Sequence, residues 1–180
     1  MIFYSRIANR KAVSMLKGQD IIVLAALTDG SHAGEPFAEL GRRTCLSASE
    51  AYACVKRLQG ASLLNTHRCV MNRNAIEFLL HGLRYAFPLR FEGIMAKGLA
   101  TSYAAPVARS AFATAGVSPV WSYSGGETFG RACEPLYPTA PVAAAGDRAL
   151  YDRLAVFDML RGGRLREREF AAKKLAEMFS

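Results

Sequence analysis

Paired metal-binding residues are missing from this sequence of 180 residues. Its cysteines, Cys45, Cys54, Cys69 and Cys133, form no Cys-x-x-Cys pair, and its histidines form no His-x-x-x-His pair. The acidic residues stand singly. Because zinc sites and catalytic metal centres need clustered ligands, we expect no metal, no cofactor and no enzymatic activity.

Membrane and export signals are also missing. Apolar runs such as residues 21–27 fall well short of the roughly 18 residues that a membrane-spanning helix needs. The first six residues lack the basic region, apolar stretch and cleavage site of a signal peptide. With 51% apolar and 21% charged residues, the composition indicates a folded protein. We therefore expect a cytoplasmic location without a membrane segment.

Charge is unevenly distributed along the chain. Residues 1–90 contain 12 Lys and Arg against 6 Asp and Glu, residues 91–146 contain 3 against 3, and residues 147–180 contain 8 against 6. A basic segment next to a neutral one is typical of a nucleic-acid-binding module joined to an assembly or sensing segment. Charge alone also allows an RNA-binding protein or a merely soluble surface.

Apolar periodicity and capping signals predict helices over residues 16–27, 36–43, 47–59, 73–82, 147–161 and 164–179. The clearest start signal is Ser47 followed by Glu50, a capping box in which each side chain accepts from the backbone N–H of the other residue. Asn72 is the predicted cap of the helix that begins at Arg73. Between them, residues 61–71 suit two short strands around a turn, so we expect a small hairpin with Arg68 at its tip.

The helix predicted from Ser47 has two different faces. Ala51, Val55 and Leu58 recur at helical spacing and are expected to face inward, whereas the opposite face presents small, polar, aromatic or basic residues. That outer face includes Ser49, Tyr52, Lys56 and Arg57. Tyr52 has no evident core to fill from its position in the sequence.

The order of these features resembles the bacterial winged helix-turn-helix regulators related to the MarR family. The resemblance rests on Phe37-Ala38-Glu39-Leu40-Gly41, then Cys45-Leu46-Ser47-Ala48-Ser49-Glu50-Ala51, then Val55-Lys56-Arg57-Leu58 and Leu63-Leu64. It covers about residues 16–82. Cys45 stands where the turn usually has glycine, and Thr44 stands where an apolar residue is usual. Residues 85–146 do not resemble the helical dimerisation arms of that family.

The resemblance implies binding to double-stranded DNA and transcriptional control, with the helix from Ser47 in the major groove. The candidate DNA-contacting residues are Arg42, Arg43, Ser47, Ser49, Tyr52, Lys56, Arg57, His67 and Arg68. Arg42 and Arg43 suit phosphate contacts and also suit the dipole at the end of their own helix. Arg68 at the hairpin tip fits insertion into a minor groove.

These patterns together predict a mainly α fold with a small β-wing. We expect a winged helix-turn-helix domain over residues 12–82, a proline-rich, loop-rich ordered wrap over 83–146, and C-terminal helices for assembly over 147–180. The apolar residues of the last two helices exceed what a thin appendage can bury, so we expect a homodimer. They are Leu150, Leu154, Phe157, Phe170, Leu175 and Phe179.

Two other functions remain open. In the first, the loop-rich wrap with Trp121, Tyr123 and Tyr137 encloses an apolar ligand, and the protein is a small-molecule sensor. In the second, the winged helix binds an acidic partner protein encoded by a neighbouring gene, as an antitoxin does. The thiols of Cys45 and Cys54 flank the proposed reading helix, but a buried cysteine usually acts as a small apolar side chain.

Overall fold

The computed structural model of the protein describes residues 15–28, 30, 34–112 and 116–179. This part of the chain is mainly helical and contains a small three-stranded sheet. The helices are α1 (Gly18–Leu27), α2 (Phe37–Thr44), α3 (Ala48–Gly60), α4 (Asn72–Glu77), α5 (Leu83–Ala86), α6 (Ala140–Gly146), α7 (Arg148–Gly162) and α8 (Leu165–Met178). No helix in the described ranges is both long and apolar enough to cross a membrane.

α1 is the central helix of the N-terminal half. Every residue from Asp20 to Leu27 is buried, as expected for a helix that is apolar on nearly all sides. It packs against α2, α3 and α7. The short apolar segment predicted from the sequence therefore forms the core onto which α2, α3 and α7 pack.

The helical run after α3 begins differently from the prediction. Met71, and not Asn72, occupies the cap position of α4, and the Asn72 side-chain amide donates to the Phe179 carbonyl at 3.2 Å. The prediction that Asn72 caps this helix is therefore wrong. A π-helical segment, Phe78–Gly82, then joins α4 to α5 in one continuous run.

The predicted two-stranded hairpin is reduced to one antiparallel bridge between Leu64 and Val70. The sheet of the protein lies elsewhere, in β1 (Phe91–Ala100), β2 (Pro119–Ser122) and β3 (Thr128–Cys133). β1 pairs antiparallel with both other strands, and β2 pairs parallel with β3, so the sheet closes into a small barrel.

This barrel lies inside the segment for which we expected only an ordered, loop-rich wrap. Glycine is required where its strands approach most closely. A Cβ atom at Gly98 would lie 2.0 Å from the Trp121 carbonyl oxygen, and one at Gly126 would lie 2.1 Å from the Gly98 carbonyl. Gly98 and Gly126 are thus sites of tight packing between backbone segments.

The apolar stripes of α7 and α8 are covered within the chain. Leu150, Leu154, Phe157 and Leu175 are fully buried and Phe179 is buried, because α7 packs against α1, α5, α6 and α8. Phe170 is partly buried and meets the Phe112 ring at 5.4 Å between ring centres. The premise that these residues need a second subunit to cover them is therefore wrong. The homodimer itself stays a prediction without that support.

Candidate nucleic-acid interface

The turn between α2 and α3 is tightly built. Cys45, at the end of α2, has φ 53° and ψ 41°, which is the left-handed conformation that glycine usually adopts. The buried Thr44 donates its hydroxyl hydrogen to the Leu40 carbonyl at 2.7 Å, so its polar group is satisfied. A Cβ at Gly41 would lie 2.6 Å from the Leu46 carbonyl oxygen. The two departures from the family pattern are thus compatible with a close turn.

Ser47 begins α3 with the predicted capping box. The Glu50 N–H donates to Ser47 Oγ at 3.2 Å, and the Ser47 N–H donates to Glu50 Oε2 at 2.8 Å. The Ser47 hydroxyl also donates to Glu50 Oε2, at 2.7 Å. The two hydrogen bonds that the Ser47 N–H and hydroxyl donate to this carboxylate lower the pKa of Glu50. The Ser47 side chain therefore serves to hold the start of the helix.

The outward face of α3 is formed by Ser49, Tyr52 and Lys56, all of which are exposed. Tyr52 is 49% exposed, but its ring meets the Phe37 ring edge-on at 5.2 Å. The Lys56 ammonium lies 5.5 Å from the Tyr52 ring centre. The expectation that Tyr52 has nothing to pack against is wrong, because its ring links α3 to α2 while its outer part reaches solvent.

The Arg57 side chain does not lie on this outward face. Its guanidinium makes a forked pair with the fully buried Asp20 carboxylate, at 2.7 and 2.8 Å, and its side chain is 11% exposed. The hydrogen bond to Asp20 raises the pKa of Arg57. Geometry therefore contradicts the placement of Arg57 on the outer face and gives it a role in joining α3 to α1.

Arg43 is similarly engaged inside the molecule. Its side chain is 12% exposed and pairs with Glu35 at 3.0 Å and with Asp147 at 3.6 Å. It also donates to the Ala26 carbonyl at 3.2 Å. Arg43 thus ties α2 to α1 and to the cap of α7, while the neighbouring Arg42 side chain is 72% exposed and pairs with Glu39 on its own helix.

Arg68 adopts φ 64° in the loop between Leu64 and Val70, but its side chain folds back onto the protein. Its guanidinium donates to the Glu35 carbonyl at 2.8 Å and lies 4.8 Å from the Phe37 ring centre. The tip residue is therefore not extended towards a groove, as the sequence led us to expect. His67, by contrast, is exposed.

Four side chains thus form a stack that supports the outward face of α3. Arg68 covers one part of Phe37, Tyr52 meets the Phe37 ring, and Lys56 lies beside Tyr52. The contact between Phe37 and Tyr52 could not be predicted from local spacing, because the two rings lie on different helices. The predicted DNA-contacting side chains that remain exposed on α3 are Ser49, Tyr52 and Lys56. Arg42 at the end of α2 and His67 in the loop after α3 are exposed as well.

The cysteines near this face have different surroundings. Cys54 is buried, and that burial raises the pKa of its thiol to about 12. Because a thiolate is the reactive form, Cys54 is held in its unreactive state and packs as an apolar side chain. Cys45 is partly buried in the turn.

The second candidate site is a cleft of about 590 Å³ between the barrel and the junction of α6 and α7. Tyr123 lines it together with Tyr151, Arg109, Arg148 and the glycine-rich segment 125–128. Trp121 does not line it, because its indole is fully buried and donates to Asp158 at 2.8 Å. The predicted enclosure of an apolar ligand by Trp121, Tyr123 and Tyr137 is therefore wrong.

Comparison of the chain with protein-family models, with curated proteins and with solved structures found no match in any of the three. In the described residues, no group of three or more His, Cys, Asp or Glu side chains could hold a metal ion. What the protein does must therefore be argued from its own surfaces.

Proposed function

We propose that the protein binds double-stranded DNA through the outward face of α3 and regulates transcription by occupying promoter DNA. The supporting observation is the exposed series Ser49, Tyr52 and Lys56 on a capped helix that follows α2 across a short left-handed turn. Side chains three and four residues apart share one helical face. A face of this kind presents a hydroxyl, an aromatic ring and a cation together, which suits base edges and phosphates.

In this proposal the arginines near α3 have divided roles. Arg42 and Lys56 are exposed cations for phosphate contacts, and the exposed His67 adds a further contact from the loop after α3. Arg43 and Arg57 orient the helices from within, as their ion pairs indicate. Arg68 positions Phe37 beneath Tyr52. The loop around the Leu64–Val70 bridge would take the place of the wing in a winged helix-turn-helix domain.

The proposal is tested by footprinting and binding assays on DNA upstream of the protein's own gene. Lys56→Ala should weaken binding to all duplexes and reduce the slope of log affinity against log salt by about 0.9, because one phosphate contact is lost. Lys173→Ala is the matched control, since Lys173 is an exposed lysine on α8. An unchanged slope for Lys56→Ala would contradict the interface.

Sequence discrimination is tested separately with Ser49→Ala and Tyr52→Phe. Tyr52→Phe keeps the ring that packs on Phe37 and removes only the hydroxyl, so helix stability should be preserved. A lost base contact should cost roughly 1–3 kcal/mol of discrimination between operator and unrelated DNA. If both variants discriminate as well as the wild type, α3 does not contact bases.

A second candidate function is that of a regulator that responds to a small molecule, and the cleft beside the barrel favours it. Its volume of about 590 Å³ lies within the range of ligand pockets. The cleft also adjoins the helix junction whose Asp147 pairs with Arg43 on α2. A ligand there would contact the element that links the two halves. Ala145→Phe, which narrows the cleft, should abolish any ligand-induced rise in Tm.

A homodimer would place two copies of α3 on one operator, because paired half-sites are how such domains gain affinity. Light scattering should then give a mass close to twice 19.6 kDa. The alternative of an antitoxin-like protein that binds an acidic partner predicts weak duplex binding without the steep salt dependence.

A further inference from the structure

The barrel exposes a mixed apolar and basic surface, which we call the outer sheet face. It consists of Met95 and Lys97 on β1 and of Phe129 and Arg131 on β3. Met95 lies opposite Arg131, and Lys97 lies opposite Phe129. Since alternate residues of a strand point to the same side, these four side chains share one face. On β3, Gly130 between these two residues and Ala132 after them point to the other side and are buried.

Large apolar groups on this face are unusually accessible. Phe129 is 68% exposed and Met95 is 46% exposed. At the start of β1, Phe91 is 42% exposed, and the Arg131 guanidinium lies 4.3 Å from its ring centre. Contiguous exposed apolar groups on a folded protein mark an interaction surface. The barrel therefore offers two aromatic positions, one bare and one stacked with a guanidinium group.

The charge of the outer sheet face is positive. Lys97 and Arg131 are exposed, and neither forms an ion pair with another described residue. Arg90 directly precedes β1 and Glu92 lies on it, while Glu127 and Glu134 stand immediately before and after β3, which itself contains no acidic residue. The four side chains of the face carry two positive charges and no negative one, so a partner that combines negative charge with flat or apolar groups fits it.

We propose that the outer sheet face binds single-stranded nucleic acid, with bases on Phe129 and on the Phe91–Arg131 stack and with phosphates beside Lys97 and Arg131. Exposed aromatic rings interleaved with cations are what single strands require, because unpaired bases stack on rings while phosphates need positive charge. A duplex keeps its bases stacked internally and leaves the rings unused. A second copy of this chain fits poorly, because a two-fold contact would bring the cations of both copies together.

The proposal is tested with the full-length protein and fluorescein-labelled oligothymidylate and oligouridylate of 15 nucleotides, by anisotropy. Phe129→Ala should weaken binding to at least one of them by about fivefold or more, and Phe129→Trp should retain it, because stacking on an aromatic ring is what is lost. Leu165→Ala is the matched control, since Leu165 is 65% exposed on α8 and should bind as the wild type does. Circular dichroism of each variant checks that it is folded.

The charged part of the surface has its own measurement. Lys97→Ala should reduce the salt slope of single-strand binding by about 0.7, while Lys173→Ala, at an exposed position on α8, should leave oligonucleotide binding unchanged. Wild-type affinity of Phe129→Ala for both oligonucleotides would overturn the proposal and would favour an acidic protein as the partner. Equal losses in Lys173→Ala and Phe129→Ala would also overturn it. Neither result bears on duplex binding by α3, which the operator assays measure separately.

Discussion

In the N-terminal half, Asp20 at the start of α1 pairs with Arg57 on α3, 37 positions away. In the C-terminal half, Asp158 pairs at 2.7 Å with Arg161 on the same helix. Both carboxylates are fully buried. The first pair joins two helices whose apolar faces already meet, whereas the second is the centre of a larger polar network.

That second network joins α7 to the barrel and to the loops beside it. Asp158 accepts from the Thr101 hydroxyl and the Trp121 indole, both at 2.8 Å. Arg161 donates to the Glu134 carbonyl at 2.6 Å and also contacts the carbonyls of the turn before β1. These carbonyls lie outside the helices and accept their hydrogen bonds from the Arg161 side chain. The comparison indicates that apolar periodicity organises the N-terminal half, while side-chain hydrogen bonds organise the irregular C-terminal half.

The largest effect should follow from Arg161→Met. This change leaves Asp158 buried without its cation and leaves several carbonyls unpaired, so we expect a loss of about 3–5 kcal/mol in the free energy of unfolding. Urea denaturation, followed by Trp121 fluorescence and by circular dichroism, measures it. Arg73→Met, at an exposed position, should change stability by about 0.5 kcal/mol or less. If Arg161→Met and Arg73→Met have similar free energies of unfolding, the polar network around Asp158 does not organise the C-terminal half.

A smaller loss is expected for Arg57→Met, about 1.5–3 kcal/mol. Asp20 keeps its hydrogen bond from the Lys17 N–H at 2.8 Å, and the Arg57 site is partly open to water, so the remaining carboxylate can be hydrated. Well below its Tm, the variant should bind duplex DNA with nearly wild-type affinity. Full stability combined with lost DNA affinity would return Arg57 to the interface and contradict its role as a link between helices.

The smallest effect concerns the turn before α3, where two variants of Cys45 can be compared. Both Cys45→Gly and Cys45→Ala lose the thiol, but only alanine keeps a Cβ in the left-handed conformation. The glycine variant should therefore be more stable than the alanine variant by about 1 kcal/mol. Urea midpoints of the two variants give the difference. A more stable alanine variant would show that residue 45 does not hold a left-handed turn.

Most helices could be predicted because their signals are local. The Ser47–Glu50 capping box lies within four residues, and the apolar spacing of Leu150, Leu154 and Phe157 marks one helical face. The barrel could not be predicted in the same way. β1 contains glycine at Gly93 and Gly98 and lacks a clear alternation of apolar and polar residues, so its strand character depends on neighbours distant in sequence.

For the candidate interface, the sequence by itself determined a capped helix with Ser49, Tyr52 and Lys56 on its outer face. Only the tertiary structure decided which nearby arginines were available. Arg43, Arg57 and Arg68 have long side chains that can reach either solvent or a buried acceptor. The choice depends on whether a carboxylate, carbonyl or ring from a distant segment lies within a few ångströms. Local spacing does not encode that distance, because it is set by how the helices pack around α1.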